Sequence, residues 1–258
     1  MLNKMHSSGE IVKYKILIIS FIFTIFSIGI HANAHAGTIN GGTLLNGSDA
    51  DQLEAWLGVG DQDFNNIWSG MAGVATAADF HANVDGAGPT FSIFGITLGD
   101  GTDAVIGGYT KADWAGRGYT ADIEAFIFNL TTLELQSTQH YFGQYAIYRN
   151  PLYFSTFGGG HDIFAGAGTL GTCYGSVNTN CDGYAYSHTY DQTQGTIVAD
   201  NDTGQGWGSS GEGATWVINS LEVYTISDAT PVPEPSTLIL LGSGLVGLAF
   251  FRRKGKSQ

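Results

Sequence analysis

Each end of the chain carries an uncharged apolar run, and these two runs confine the folding part to the residues between them. The first covers residues 16–30, and the second covers residues 238–251. At about 1.5 Å per residue the second run spans roughly 21 Å as a helix, which is short of the roughly 30 Å core of a bilayer. Both runs are typical of targeting segments, so neither enters the fold argument.

The N-terminal segment has the three parts of a secretory signal peptide. Lysines precede the apolar run, and small residues at Ala34 and Ala36 form a signal peptidase site before Gly37. We therefore expect signal peptidase to remove residues 1–36. An uncleaved N-terminal anchor is the alternative, because this apolar run is just long enough to be held in a membrane.

The C-terminal segment combines a proline-rich break, the second apolar run and a basic stub. The basic stub is Arg252, Arg253 and Lys254, which we expect to stay on the cytoplasmic side. Proline fixes its own φ and disfavours helix at the preceding residue, so the break is predicted to be extended. The residues of the break are Val232, Pro233, Glu234, Pro235, Ser236 and Thr237.

These three parts, over residues 229–258, resemble the PEP-CTERM tail that exosortases recognise in Gram-negative bacteria. The resemblance implies processing by exosortase, a transient stay in the inner membrane, and then a location at the cell surface or outside the cell. It also implies surroundings rich in exopolysaccharide. A plain C-terminal anchor with a proline linker is the alternative.

The segment between the two runs is strongly acidic. Removing Glu10 and Glu234 from the 23 acidic residues leaves 21, against only Lys111, Arg117 and Arg149, so residues 37–230 carry a net charge of −18. Such a surface repels nucleic acid and anionic lipid. Its length suits one hydrophobic core, so we expect a single domain over residues 37–228.

Pattern and composition predict an α+β fold that is mostly β. Helices are expected over 48–57, ending at Gly58, and over 76–84, capped by Thr76. Strands are expected over 90–94, 104–109, 124–130, 141–148 and 221–226. In the third strand, Phe126, Phe128 and Leu130 are expected to face the core, with Ala125 and Ile127 on the other side. We predict a two-layer antiparallel β-sandwich flanked by short helices, with the apolar run of the tail as a short C-terminal helix.

Six short pieces in this order resemble the TLDc domain. They cover residues 79–81, 85–91, 105–114, 124–128, 157–160 and 221–224. The resemblance implies a β-sandwich flanked by helices, with no established catalytic residues. Two features depart from the family: residues 167–213 are longer than usual, and Tyr224 stands where the family often has Trp.

Two pairs of residues in the longer region are candidates for stabilising its loops. Cys173 and Cys181 are the only cysteines, and in an oxidising compartment they are predicted to form a local disulfide. Asp200 and Asp202 stand at alternate positions before Gly204, which resembles the start of a calcium loop. The same residues suit a plain turn. No other cofactor is expected.

Two carboxylate-containing pairs could support hydrolysis. Asp122 and Glu124 are two residues apart on an expected strand, which would place both carboxylates on one face. His161 and Asp162 follow three glycines and could act as a base and its orienting partner. Structural roles are favoured over catalysis for both pairs, and no Ser or Cys nucleophile motif completes the pair of His161 and Asp162.

The leading hypothesis is an exported, non-enzymatic protein of the cell surface or extracellular matrix. A glycan- or calcium-binding module is the first alternative, with Tyr184, Tyr186 and Trp207 as rings on which sugars could stack. A hydrolase using one of the two pairs is the second.

Overall fold

A computed structural model describes residues 37–98, 101–138, 143–159, 161–171, 184–185, 189–190, 214–229 and 242–244. The chain divides into two units: one runs over His35–Val232 and is called the body below, and the other comprises Met1–Ala34 and Pro233–Gln258.

The body is built on a mixed seven-stranded sheet. Its strands are β1 (Ile39–Asn40), β2 (Gln62–Met71), β3 (Thr90–Thr97), β4 (Asp103–Thr110), β6 (Phe126–Asn129), β7 (Glu134–Ser137) and β11 (Val217–Asp228), in the spatial order β1-β2-β11-β3-β4-β6-β7. β1 pairs with β2 in parallel, and all other neighbours are antiparallel.

Shorter elements complete the described architecture. β5 (Gly118–Thr120) pairs with β8 (Ile147–Arg149), and β9 (Tyr184–Ala185) pairs with β10 (Ala214–Thr215). The helices are α1 (Gly47–Leu57), α2 (Ala77–Val84) and a 3₁₀ turn over Gly143–Tyr145.

Both faces of the large sheet are buried, because a different layer covers each one. On one face Ala50 and Leu53 of α1 pack in a cluster with Phe64, Phe91 and Tyr224. On the other face a larger cluster joins α2 to the sheet and to the segment that follows the 3₁₀ turn; its members include Phe80, Phe94, Ile127, Ile147, Phe157 and Leu221. The predicted fold class is confirmed: the body is mostly β and sandwich-like.

The two covered faces of the sheet explain why β6 is buried at every position. Phe126 and Phe128 belong to the cluster under α1, together with Leu130. Ala125 and Ile127 belong to the cluster on the opposite face. The expected alternation is therefore confirmed, and each of its two faces meets a core.

The helix boundaries follow local capping chemistry. Thr76 caps α2, as predicted, by accepting a hydrogen bond from the backbone N–H of Asp79 at 3.2 Å. α1 begins earlier than expected, because Asn46 is its N-cap and forms a capping box with Asp49. Gly58 ends α1 in the left-handed conformation at φ 72°, which glycine adopts without strain.

Candidate functional site

The first and last described residues of the body meet at the start of β2. Thr38 donates from its backbone nitrogen and its Oγ1 to Asp63 Oδ1, at 2.7 and 2.8 Å. At the other end Asp228 is the register partner of Gln62, and the N–H of Ala229 donates to the carbonyl of Asp61 at 3.0 Å. The two ends of the described part of the body are therefore adjacent; we call them the chain exits.

Gln62 anchors both chain exits from inside the fold. Its side chain is buried, its backbone N–H donates to Glu54 Oε1 of α1 at 2.7 Å, and its Nε2 donates to Asp228 Oδ1 at 3.3 Å. Gly37 packs so closely on this residue that a Cβ there would lie 1.9 Å from the Gln62 carbonyl oxygen. Gly37, predicted to follow the signal peptidase site, is thus held against the sheet without room for a side chain.

Glu222 is a buried carboxylate on β11, an interior strand of the sheet. Its Oε1 accepts from the backbone N–H and the Oγ1 of Thr43 at 2.8 and 3.0 Å, and its Oε2 accepts from the N–H of Leu44 at 3.0 Å and from Tyr224 Oη at 2.5 Å. Burial, followed by the bond to Glu222, raises the pKa of Tyr224 well above its ordinary value. The carboxylate therefore fastens the loop after β1 to β11.

The structure corrects the expected placement of Asp122 and Glu124. Residues 122–125 form a turn before β6 and do not belong to a strand, so the two carboxylates do not share a strand face. Asp122 accepts from Thr110 Oγ1 at 2.7 Å and from the N–H of Lys111 at 2.6 Å, which ties the turn to the end of β4. Glu124 forms an exposed ion pair with Lys111.

His161 and Asp162 lie in different surroundings. Asp162 is buried, and its Oδ2 accepts from the N–H groups of Thr189 and Tyr190 at 2.7 and 2.9 Å. His161 has φ 72°, and its ring stacks on Phe164 with centroids 5.2 Å apart. Burial lowers the pKa of His161 to about 4, so the imidazole is neutral at neutral pH.

Several predicted site residues lie outside the described residues. They are Ala34, Ala36, Cys173, Cys181, Asp200, Asp202, Val232, Pro233, Glu234, Pro235, Ser236, Thr237, Arg252, Arg253 and Lys254. Tyr186 and Trp207 lie outside them as well, and only the backbone of Tyr184 is described, in β9.

The described residues include neither a helix that could span a membrane nor a cluster of metal ligands. None of the helices in those ranges is both long and apolar enough to span a bilayer. Where the structure describes the chain, no three His, Cys, Asp or Glu side chains are grouped so that they could hold a metal ion.

Comparison with protein families identifies the tail. Residues 231–254 match the PEP-CTERM protein-sorting motif. The chain thus carries a signal for export and exosortase-mediated sorting, and the predicted resemblance of the tail is confirmed. No TLDc family match was found, and no curated protein matches the chain.

Proposed function

We propose that this protein is an exported, non-enzymatic module of the cell surface or extracellular matrix, which exosortase sorts and processes through its tail. The observation that carries the proposal is the position of the motif. It begins at residue 231, directly after Ala229 makes the last described hydrogen bond of the body. A processing enzyme can therefore act on the motif without opening the sheet.

The arrangement of the chain exits supports the same proposal. Signal peptidase and exosortase would act on segments that leave the body beside Gln62, at one end of β2. One end of the body would therefore face the membrane during processing, which leaves the rest of its surface available to the surroundings. The −18 charge of residues 37–230 suits a soluble protein in such surroundings.

Within this proposal the body is a TLDc-like module. The residues that carry the resemblance contribute to packing: Phe80 and Trp114 lie in one core cluster, and Trp114 Nε1 donates to Thr90 Oγ1 at 3.0 Å. Leu221 and Tyr224 lie on β11. These residues support the proposed module because they contribute to its packing, and they do not indicate a catalytic activity.

The sorting step is tested by mass analysis in the producing bacterium. The protein is purified from separated membrane, surface and culture fractions, and its intact mass is measured. We expect a mass that ends near residues 233–237, whereas alanine at Pro233, Glu234 and Pro235 together should leave the whole tail in place and the protein in the membrane. Gly60→Ala, whose added methyl group meets nothing within 4 Å, controls for expression. A triple variant that is processed like the wild type would refute the role of the motif.

The calcium and hydrolase alternatives stay predictions with separate tests. Calorimetry with Ca²⁺ that shows no heat would dismiss binding at Asp200 and Asp202. For a hydrolase, the variant of the pair in use, Glu124→Gln or His161→Ala, should abolish any turnover that is detected, with little change in melting temperature.

A further inference from the structure

The outer edge of β2 is open beyond Asn65. β1 pairs only with Phe64 and Asn65, and in the part of the chain that the structure describes the rest of β2 pairs with β11 alone. Residues 66–71 therefore form an edge to which a further strand could be added; we call them the open edge.

The loop after β1 explains why the edge stays open. Gly41 and Gly42 turn the chain with φ at 81° and 75°, a conformation that glycine adopts without strain. Thr43, which follows, donates to Glu222 of β11 through its backbone N–H and its Oγ1. The chain therefore crosses to β11 over one face of the sheet and does not continue along β2.

The open edge lacks two of the features that keep edge strands apart. Residues 64–78 contain no charged residue and no proline, although residues 37–230 carry a net charge of −18. Charged side chains and prolines on an edge oppose pairing with another chain. At the other edge of the large sheet, β7 begins with Glu134. Of the two edges, that of β2 is therefore the one at which a strand can pair without meeting a carboxylate.

Apolar side chains are exposed at the C-terminal end of the open edge. Met71 is 70% exposed, and Val74, in the turn that follows, is 77% exposed. The N–H of Val74 donates to the carbonyl of Met71 at 3.2 Å, so both residues belong to one turn. A partner strand on the open edge would remove part of this apolar surface from water, which favours association.

We propose that the open edge pairs with the open edge of a second copy of this protein, antiparallel about a twofold axis. A strand placed antiparallel to its own copy is self-complementary, because the same backbone donors and acceptors meet from both sides. The two large sheets would join into one, with Trp68 and Ser69 closest to the axis. The inference goes beyond the proposed function, because it concerns assembly and not sorting.

Charge favours this partner and sets a condition on it. Two bodies of net charge −18 repel each other, so they associate only where the contact brings no carboxylates together and salt screens the rest. A basic partner would be drawn to the carboxylates elsewhere on the body, and an acidic one would find no cation at this edge. A second copy supplies an equally uncharged edge of the same length. The dimer should therefore become stronger as salt rises.

Cross-linking of the full chain in the producing bacterium tests the pairing. Ser69→Cys places a thiol at an exposed position in the middle of the open edge, and a short bismaleimide reagent should join two such chains into a species of twice the monomer mass. Thr132→Cys, exposed in the turn between β6 and β7, is the matched control and should stay monomeric, as should the wild type. A Ser69→Cys protein that stays monomeric, or that is joined only to a different protein, would overturn the proposal.

Sedimentation of the purified full chain in mild detergent measures the strength of the dimer. Met71→Asp should weaken it by at least about tenfold, because it brings like charges into the contact. Ile123→Asp, at a side chain 76% exposed elsewhere on the body, should leave it unchanged. Raising NaCl from about 0.05 M to about 0.5 M should increase the dimer fraction.

Three outcomes of the sedimentation experiment would contradict the inference. They are a monomeric wild type, a dimer that Met71→Asp leaves intact, and a dimer that weakens as salt rises. Equal melting temperatures of Met71→Asp and the wild type would show that the variant is folded. No exosortase takes part, so a failure here leaves the sorting result intact.

Discussion

Replacing Glu222 by alanine is the most direct test of what holds the centre of the body together. The carboxylate is 4% exposed and accepts four hydrogen bonds, two of them from the backbone N–H groups of Thr43 and Leu44. Truncation leaves these donors and the hydroxyl of Tyr224 without their acceptor. Each unsatisfied buried group costs about 1–3 kcal/mol, and water in the new space offsets part of this. We expect a loss of about 3–5 kcal/mol in the free energy of unfolding.

Thermal and urea unfolding of the purified protein measure this loss. For a domain of this size, about 2–4 °C is lost per kcal/mol, so the melting temperature should fall by about 6–20 °C. Glu222→Gln keeps one carbonyl acceptor and should cost less than alanine. Glu124→Ala is the matched control, because it removes an exposed carboxylate whose ion pair with Lys111 contributes at most about 1 kcal/mol.

The comparison of the two alanine variants decides whether the Glu222 carboxylate fastens the loop after β1 to β11. If Glu222→Ala loses no more stability than Glu124→Ala, the four hydrogen bonds do not hold the loop to β11. The same outcome would mean that the packing of Tyr224 alone suffices. A loss confined to Glu222→Ala, with Glu222→Gln between the two, would confirm that the carboxylate is the fastening group.

Three further predictions concern pH and the N-terminal chain exit. The pKa of His161 falls from 6.5 to about 4 on folding, so between these pH values the unfolded chain binds more protons than the folded protein. Stability should therefore decrease as pH falls from 6.5 to about 4. His161→Asn, which tolerates the positive φ of this position, should flatten this decrease in unfolding measured across that pH range. Burial raises the pKa of Tyr190 and Tyr224, so stability should decrease as pH rises above about 10, and Tyr224→Phe should reduce that decrease in alkaline unfolding curves. Gly37→Val should lower the melting temperature, because its Cβ would collide with the Gln62 carbonyl. Gly47→Ala is the control, because its added methyl group meets open space and should leave the melting temperature unchanged. Equal melting temperatures of the two variants would show that Gly37 does not need to lie against β2.

Elements with local signals could be predicted from the sequence. Thr76 and Gly58 mark helix ends through contacts within a few residues, so the sequence alone contains the necessary information. The strands β3 and β4 are apolar over most of their length, because both faces of the sheet are covered. Buried strands of this kind are recognisable as short apolar runs bounded by turns.

β2 could not be predicted, because its stability comes from distant partners. Its middle holds Asn65 and Asn66, which are unfavourable in strands. The structure shows why Asn66 is tolerated: the register with β11 skips Ile67 of β2, directly beside Asn66, and Asn66 Nδ2 donates to the carbonyl of Val223 at 3.3 Å. Nothing near Asn66 in the chain reveals a partner more than 150 residues away.

The site residues show the same contrast between local sequence signals and partners that are distant in the chain. The sequence predicts a strand at Asp122, where the structure has a turn, because apolar alternation begins at Ala125, close beside it. For Glu222 the only sequence signal is a carboxylate in the middle of an apolar strand, which indicates that buried donors surround it. The donors, Thr43 and Leu44, are far away in sequence, so only the three-dimensional structure identifies them.

The position of β11 links the fold to the sorting tail. This strand comes last in the body yet lies between β2 and β3, so the large sheet lacks its centre until residues 217–228 are available. During export the sheet can close only after these residues have crossed the membrane, and the apolar run of the tail follows ten residues later. The proposed processing step would therefore act on a chain whose core is complete, because the motif at residues 231–254 begins just after β11 ends.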